Sequence, residues 1–288
     1  MPMNPRLLRP RSTIHPEAAD WANRVRANGG SVSGSTLNAV SRFCASIAAA
    51  GIRDRFFRLN LFCGNSLSAA LVPVFRGQSL GGTQFGNATD TNVNFVSGDY
   101  AETGASGGLQ GSGTGKGLIT GVNNIDIPVA NHCAAYVSSR NTSVSNCMDV
   151  GASNSHTNDN AVGLLAIEFP PMGYMLASFQ RVNLPYTGVQ GTNYFSAFYI
   201  GCCYTDTNTM FRNGVAVSWG TRATGVRTPY SPSPLLVFAS SQAGTTAFNR
   251  TSPARLNAYS VGLDLSSTQA AAYHNAMQAF QTALGRNV

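Results

Sequence analysis

A chain of 288 residues is about the size at which a single hydrophobic core stops growing, so one large domain with an appendage is expected. Hydrophobic residues make up 43% of it and charged residues only 11%, under half the roughly 25% usual in soluble domains. That balance excludes a disordered polyampholyte, a fibrous chain and a small disulfide-stapled scaffold. The net charge of +7 is lopsided: nine of the nineteen Lys and Arg residues lie in residues 1–58 against three acids, and the remainder is nearly neutral.

Residues 1–14 read as an extended basic arm. The Arg-Pro spacing of NPRLLRPR keeps the backbone out of the helical region. Arg6, Arg9 and Arg11 are the candidate anchoring residues, suited to an acidic groove on a partner subunit. The segment lacks the apolar stretch of a secretory signal, and no apolar run approaches the roughly 20 residues of a membrane span. No membrane association is therefore expected. Nucleic-acid binding is not expected either, because the basic excess sits in one segment and Lys116 is the sole lysine.

Residues 15–75 read as a helical anchoring segment. Behind Pro16, residues Ala18, Trp21, Ala22 and Val25 share one helical face that ends at Gly29 and Gly30. Ser35 or Thr36 can cap a second helix carrying Leu37, Val40, Phe43 or Cys44, and Ile47, with Gly51 as its stop. Periodicity leaves the secondary structure of residues 52–74 open. Their large apolar side chains are expected to pack the helices against the β-rich remainder of the chain.

From residue 76 onward, short β-like runs alternate with Gly, Asn, Asp, Ser and Pro, the pattern of a sandwich. Strands are predicted at 94–96, 117–120, 133–137, 163–169, 174–179, 195–203, 209–212, 215–218, 235–240 and 256–263. In FYIGCCYT, Phe198, Ile200, Cys202 and Tyr204 offer one face to a core. Asn213-Gly214 predicts a type I′ hairpin, since both residues tolerate positive φ. Ser266 or Ser267 can cap a terminal helix with Tyr273, Met277, Phe280 and Leu284 in one stripe, closed by Gly285. The expected fold class is mainly β: an antiparallel β-sandwich with an N-terminal helical segment and a C-terminal helix.

The cysteines are Cys44, Cys63, Cys133, Cys147, Cys202 and Cys203. In a chain of this length with no secretory signal, reduced and buried thiols are expected. Cys202 and Cys203 face opposite ways in a strand and cannot bond to each other. No Cys or His pair has zinc-ligand spacing, and His132 and Cys133 should also face opposite ways.

Three stretches carry a family resemblance. GASGGLQGSGTGKGLITG resembles the opening strand of a laminin-G-like, concanavalin A-like module, and FRNGVAVS resembles its Asn-Gly hairpin. The block from Leu235 to Phe280 resembles its closing strands and short helix. Residues 20–75, followed by NFVSGDYAETG and that block, resemble tailed-bacteriophage virion proteins of the tail-fibre or particle-surface type. The likeness spans about residues 18–284, and the order of its motifs is more specific than any one of them. It implies a jelly roll over residues 76–288, virion localisation, other virion proteins as partners, and a homo-oligomer with a trimer favoured. No heptad repeat in the sequence specifies that trimer.

Chemistry is sparsely encoded. Glycan-cleaving enzymes on such a sandwich are expected to need two carboxylates flanking the bond, and the only glutamates are Glu17, Glu102 and Glu168, with no Glu-x-Asp-x-x-Glu run. Glu168 reads as a rim carboxylate or ion-pair partner, and Asp99 and Glu102 as loop hydrogen-bond acceptors. There is no Gly-x-Ser-x-Gly elbow, and His15, His132, His156 and His274 form no recognisable triad. GSGTGK lacks Walker spacing and reads as a turn. No cofactor is expected, calcium at Asn158, Asp159 and Asn160 being the one candidate metal site.

The function expected from these readings is a non-enzymatic structural component of a virion, most simply a tail-associated adhesion module without catalytic residues. Tyr186, Asn193 and Tyr194, in the loop NLPYTGVQGTNYF, are the candidate contacts to a host-surface polysaccharide or a neighbouring subunit. The alternatives are a capsid cement protein and a glycan hydrolase.

Overall fold

The computed structural model describes residues 14–128, 130–140, 147–153, 162–169, 172–179, 187–190, 196–204, 207–221, 232–242 and 245–286. For the strands within 153–195, and for residues 203, 208, 218–221, 242, 245–247 and 249, it describes the backbone alone.

The run Asn131–Arg140 (β7) sends Cys133, Ala135 and Val137 to one side and Ala134 and Tyr136 to the other, and all five are buried. A strand with two apolar faces has to lie between two layers. Here those layers are a second sheet and a set of helices.

Among the described residues, eighteen strands form two nine-stranded sheets. Across the first run β14 (Val215–Thr221), β13 (Thr207–Arg212), β12 (Ala197–Cys203), β7, β18 (Ala254–Leu263), β1 (Phe56–Asn60) and β2 (Phe75–Arg76). β5 (Gly108–Gln110) joins β18, and β4 (Tyr100–Ala101) joins β5. Across the second run β11 (Thr187–Gln190), β10 (Met172–Phe179), β9 (Val162–Phe169), β8 (Cys147–Ser153), β15 (Pro234–Val237), β6 (Gly117–Asn123) and β3 (Thr91–Val93). β16 (Ser240–Gln242) and β17 (Thr245–Asn249) complete it. Pairing is antiparallel throughout except between β16 and β8. The protein is thus a mainly β, antiparallel sandwich, as its alternating runs predict.

β12 shows why the alternation was informative. Phe198, Ile200 and Cys202 enter the core shared with the helices, while Ala197 and Tyr199 enter the core between the sheets. At the far end of β13, Asn213 and Gly214 take φ of 50° and 78°, the left-handed pair a type I′ turn needs. The strand predicted at 94–96 lies instead at 91–93. Asn94 adopts φ of 63°, which an extended strand does not tolerate.

The helical layer is built from α1 (Pro16–Ala27), α2 (Gly34–Ala49) and α4 (Ser267–Ala283), with the single turn α3 (Leu67–Ala70) nearby. In α1 the predicted face of Ala18, Trp21, Ala22 and Val25 is buried, and Trp21 Nε1 donates to the Val72 carbonyl at 3.0 Å. The cap of α2 is Ser33, not Ser35 or Thr36: its Oγ accepts from the Thr36 amide at 3.0 Å, which places those two residues inside the first turn. α4 opens on a capping box between Ser266 and Gln269 and buries Tyr273, Met277, Phe280 and Leu284 against the first sheet.

Residues 56–60, left open by periodicity, form β1, which pairs with β18 and is buried at every position. Part of the segment 15–75 is therefore built into the sandwich, and its helices share one core with the sheet. Cys44, Cys63, Cys133, Cys147 and Cys202 are buried free thiols. Burial pushes Cys44 and Cys63 well above the ordinary thiol range, so both stay protonated and unreactive. Among the described residues, no helix is long and apolar enough to cross a membrane.

Candidate functional site

The residues singled out in the sequence fall mostly outside the described ones. Arg6, Arg9 and Arg11 precede residue 14; Tyr186, Asn193 and Tyr194, the candidate calcium ligands Asn158, Asp159 and Asn160, and His156 lie outside as well. Glu168 is placed by its backbone on β9, opposite Gly173 of β10. Asp99 and Glu102 are loop acceptors: Asp99 takes Lys116 Nζ at 2.6 Å, and Glu102 takes the Thr36 hydroxyl at 2.8 Å and the Gly64 amide at 2.9 Å. GSGTGK runs through the loop between β5 and β6. His132 and Cys133 face opposite layers, as expected of neighbours in a strand.

Several buried cations are committed to holding the fold. Arg58 binds Asp90, Arg140 binds Asp149, and Arg286 donates to Gln281 and to the carbonyls of Leu61 and Phe62. The side chain of each is almost wholly shielded from water. Among the described residues, no group of three or more His, Cys, Asp or Glu side chains could hold a metal ion.

A different arrangement meets solvent where α1 passes the end of β2. A cleft of about 250 Å³ is walled by Glu17, Asp20 and Arg24 of α1, by Arg53, and by Arg76. The loop after β2 closes its rim with Ser79, Leu80, Gly81 and Gln84. Gly77 turns the chain into this rim at φ of 124°; a Cβ there would stand 2.3 Å from the Thr83 carbonyl oxygen, so only glycine fits.

Two of the three guanidinium groups are already engaged. Arg53 Nε lies 2.7 Å from both carboxylate oxygens of Glu17, its Nη1 donates to the Gly77 carbonyl, and its plane sits 4.0 Å over the Phe75 ring. Arg24 bonds Asp20 at 2.8 Å and the carbonyls of Pro73 and Val74. It thereby pins the strand-side wall to α1.

Arg76 is different. Its Nε is shielded from solvent and has no hydrogen-bond partner. Its cross-strand neighbour in the β1–β2 pair is another cation, Arg58. Like charges directly opposite in a sheet are destabilising. Burial, then the nearby Arg24 and Arg58, pull its pKa below the ordinary arginine value, and Asp20 only partly opposes them. The cleft thus holds three cations against two carboxylates and leaves one guanidinium uncommitted.

Sequence reading missed this site because its members come from three separate elements. The usable signal was an arginine ending an apolar run and entering a glycine-rich turn, VFRGQSLGG.

No protein-family model and no curated protein matches the chain. Solved structures do resemble it. The sialidase of Trypanosoma rangeli, in complex with 2,3-difluorosialic acid, has 11% identity and a TM-score of 0.47, over 83% of this chain and 38% of that one. The CBM40 module of the Ruminococcus gnavus IT-sialidase, bound to α2,6 sialyllactose, has 10% identity and a TM-score of 0.41, over 57% of this chain and 95% of that one. The NanB sialidase of Streptococcus pneumoniae has 11% identity and a TM-score of 0.40, with 51% and 24% covered. The chain spans well under half the length of the two sialidases. Likeness at this level concerns the fold alone.

One expectation is corrected by it. The chain was expected to be non-enzymatic because a carboxylate pair is missing, yet sialidases stand among the structures that share its sandwich. The two-carboxylate criterion does not cover them, since sialidases use a tyrosine nucleophile. Lack of that pair is no ground for excluding catalysis.

Proposed function

We propose that the chain is a recognition component of a bacteriophage virion, its sandwich meeting a polysaccharide and its N-terminal segment joining it to the particle. The observation that carries the recognition half is the solvent-open cleft, which leaves a guanidinium unspent at the edge of the sandwich. The particle half is supported by motif order along the chain and by the concentration of arginines ahead of α1. The root of that segment is held: Ile14 packs on the helical core, and the His15 amide donates to Ser41 Oγ at 2.8 Å. A cationic tail starting from a fixed root can reach an acidic groove of a neighbouring virion protein, and a trimer would present three such tails.

Binding is tested with the purified protein against polysaccharide extracted from host surfaces, read as saturable adsorption and as competition with phage attachment. Deleting residues 1–13 should abolish incorporation into particles while leaving the melting temperature and the polysaccharide binding unchanged. Normal incorporation of the truncated protein would sink the anchoring half. A protein that binds no polysaccharide and instead raises the temperature at which particles burst would replace recognition with a cementing role.

A further inference from the structure

We propose that the cleft around Arg76 binds a sugar unit bearing a single carboxylate, with Arg76 as its anion receptor. This rests on the polysaccharide-binding reading and names the chemical class of ligand that the site takes.

A buried guanidinium nitrogen without a partner, set opposite a second arginine, is a cost to the folded chain that calls for a reason. Nε itself is out of a ligand's reach, but Arg76 lines the open cleft, so an anion there can meet the rest of the guanidinium and offset its charge beside Arg58. A carboxylate matches the guanidinium fork with two parallel, charge-assisted bonds, the strongest polar contact that such a group makes.

The charge of the ligand is set by the walls. Arg53 is balanced by Glu17 and Arg24 by Asp20, which leaves one unit of positive charge. A dianion such as phosphate would bring its second charge up against those carboxylates. A monoanion neutralises the cleft.

The remaining polar groups select what the carboxylate is attached to. The Asp20 side chain is 42% exposed and meets Arg24 through Oδ2. Gln84 gives its amide N–H to the Gly82 carbonyl at 2.7 Å and keeps an acceptor oxygen. Ser79 adds a hydroxyl to the same rim. Acceptors beside an anion receptor require a ligand that donates hydrogen bonds as well as carrying charge. Sugar hydroxyls donate; the acidic side chain of a protein carries no donor beside its carboxylate. Leu80, half exposed at the mouth, offers an apolar surface to the C–H face of a pyranose ring.

The test is a calorimetric or NMR titration of the full chain with D-glucuronate, D-glucose, inorganic phosphate and a short glutamate-rich peptide. Saturable binding of glucuronate is expected, with none for glucose. Arg76→Gln should weaken it roughly tenfold or more, the loss of a charge-assisted fork. Arg42→Gln, on the exposed side of α2, should leave it unchanged. Because Arg76 lacks a partner, R76Q should melt no lower than the parent, so lost binding would not reflect lost folding.

Absent glucuronate binding, equal affinity for glucose, or tighter binding of phosphate would each overturn the proposal, as would a peptide that binds where glucuronate does not. Adsorption of a neutral polysaccharide, undiminished in R76Q, would overturn the carboxylate assignment and leave the broader polysaccharide reading standing.

Discussion

Asp90→Asn is expected to destabilise the protein by about 3–5 kcal/mol, the range for breaking one side of a buried ion pair. Asp90 and Arg58 are fully shielded, with Arg58 Nη2 2.7 Å from Asp90 Oδ1. The same oxygen accepts from Arg58 Nε at 3.0 Å and from the Tyr259 hydroxyl at 2.7 Å, and Oδ2 accepts from Asn60 Nδ2 at 2.8 Å. Four donors converge on one carboxylate. An asparagine amide turned either way presents N–H groups to donors: to Arg58 and Tyr259 in one orientation, to Asn60 in the other. Arg58 would then be left charged without a counter-ion, held by the Phe85 and Asn87 carbonyls and the Tyr259 hydroxyl. The group ties β1 and β18 to the loop that leads into β3, so its loss should act on the whole fold. Urea unfolding at neutral pH should show a lower midpoint with an unchanged slope. A change below about 1 kcal/mol would mean that water reaches the pair. Replacing both partners, Arg58→Met with Asp90→Leu, should recover much of the loss, because no orphaned charge remains.

How far such features can be read from the chain depends on whether their parts are neighbours in sequence. Phe198, Ile200 and Cys202 announce a strand because one period-two face suffices. A serine cap at Ser266 or Ser267, and Asn213 with Gly214, are local signals whose geometry is decided within four residues. β1 is the contrary case. FFRLN is buried at all five positions and so carries no alternation. Arg58 in its middle reads as a solvent-facing charge until Asp90, 32 residues later, folds against it. The choice of Ser33 over Ser35 as cap turns on one residue pair, a distinction that several adjacent hydroxyls obscure. The cleft was hidden for the same reason as the ion pair. Arg24 is on a helix, Arg53 in a turn, and Arg76 on a two-residue strand, and only the folded sheet edge brings them together.

Stability should fall as the pH drops from about 7.5 to 5, and His132 should carry much of that fall. Its ring lies between β18 and α4, edge-on to Phe56 at 5.3 Å. Nδ1–H donates to the Leu263 carbonyl at 2.6 Å, which leaves Nε2 to accept the Ser260 hydroxyl at 2.9 Å. Ser260 in turn accepts from the Tyr273 hydroxyl at 3.0 Å. Every proton in this chain has one place to go. A second proton on the imidazole would point at Ser260 and strand its hydroxyl hydrogen. Burial pushes the pKa of His132 down to about 4, with Arg55 adding to the effect and the Leu263 bond opposing it. The unfolded chain titrates near the ordinary value of about 6.5. Between those values the unfolded state binds the extra proton. The stabilisation is therefore complete above about pH 6.5 and is lost progressively as the pH falls toward 4. Linkage across this window gives a drop of about 2 kcal/mol between pH 7.5 and 5. His132→Gln should be less stable than the parent at pH 7.5 yet lose far less on acidification, so the two urea midpoints converge. His274 on α4 is half-buried and shifted down by burial in the same direction, which makes His274→Gln the proper comparison. If His132→Gln kept the full acid slope and His274→Gln removed it, the buried triad of His132, Ser260 and Tyr273 would not be what limits this fold in acid.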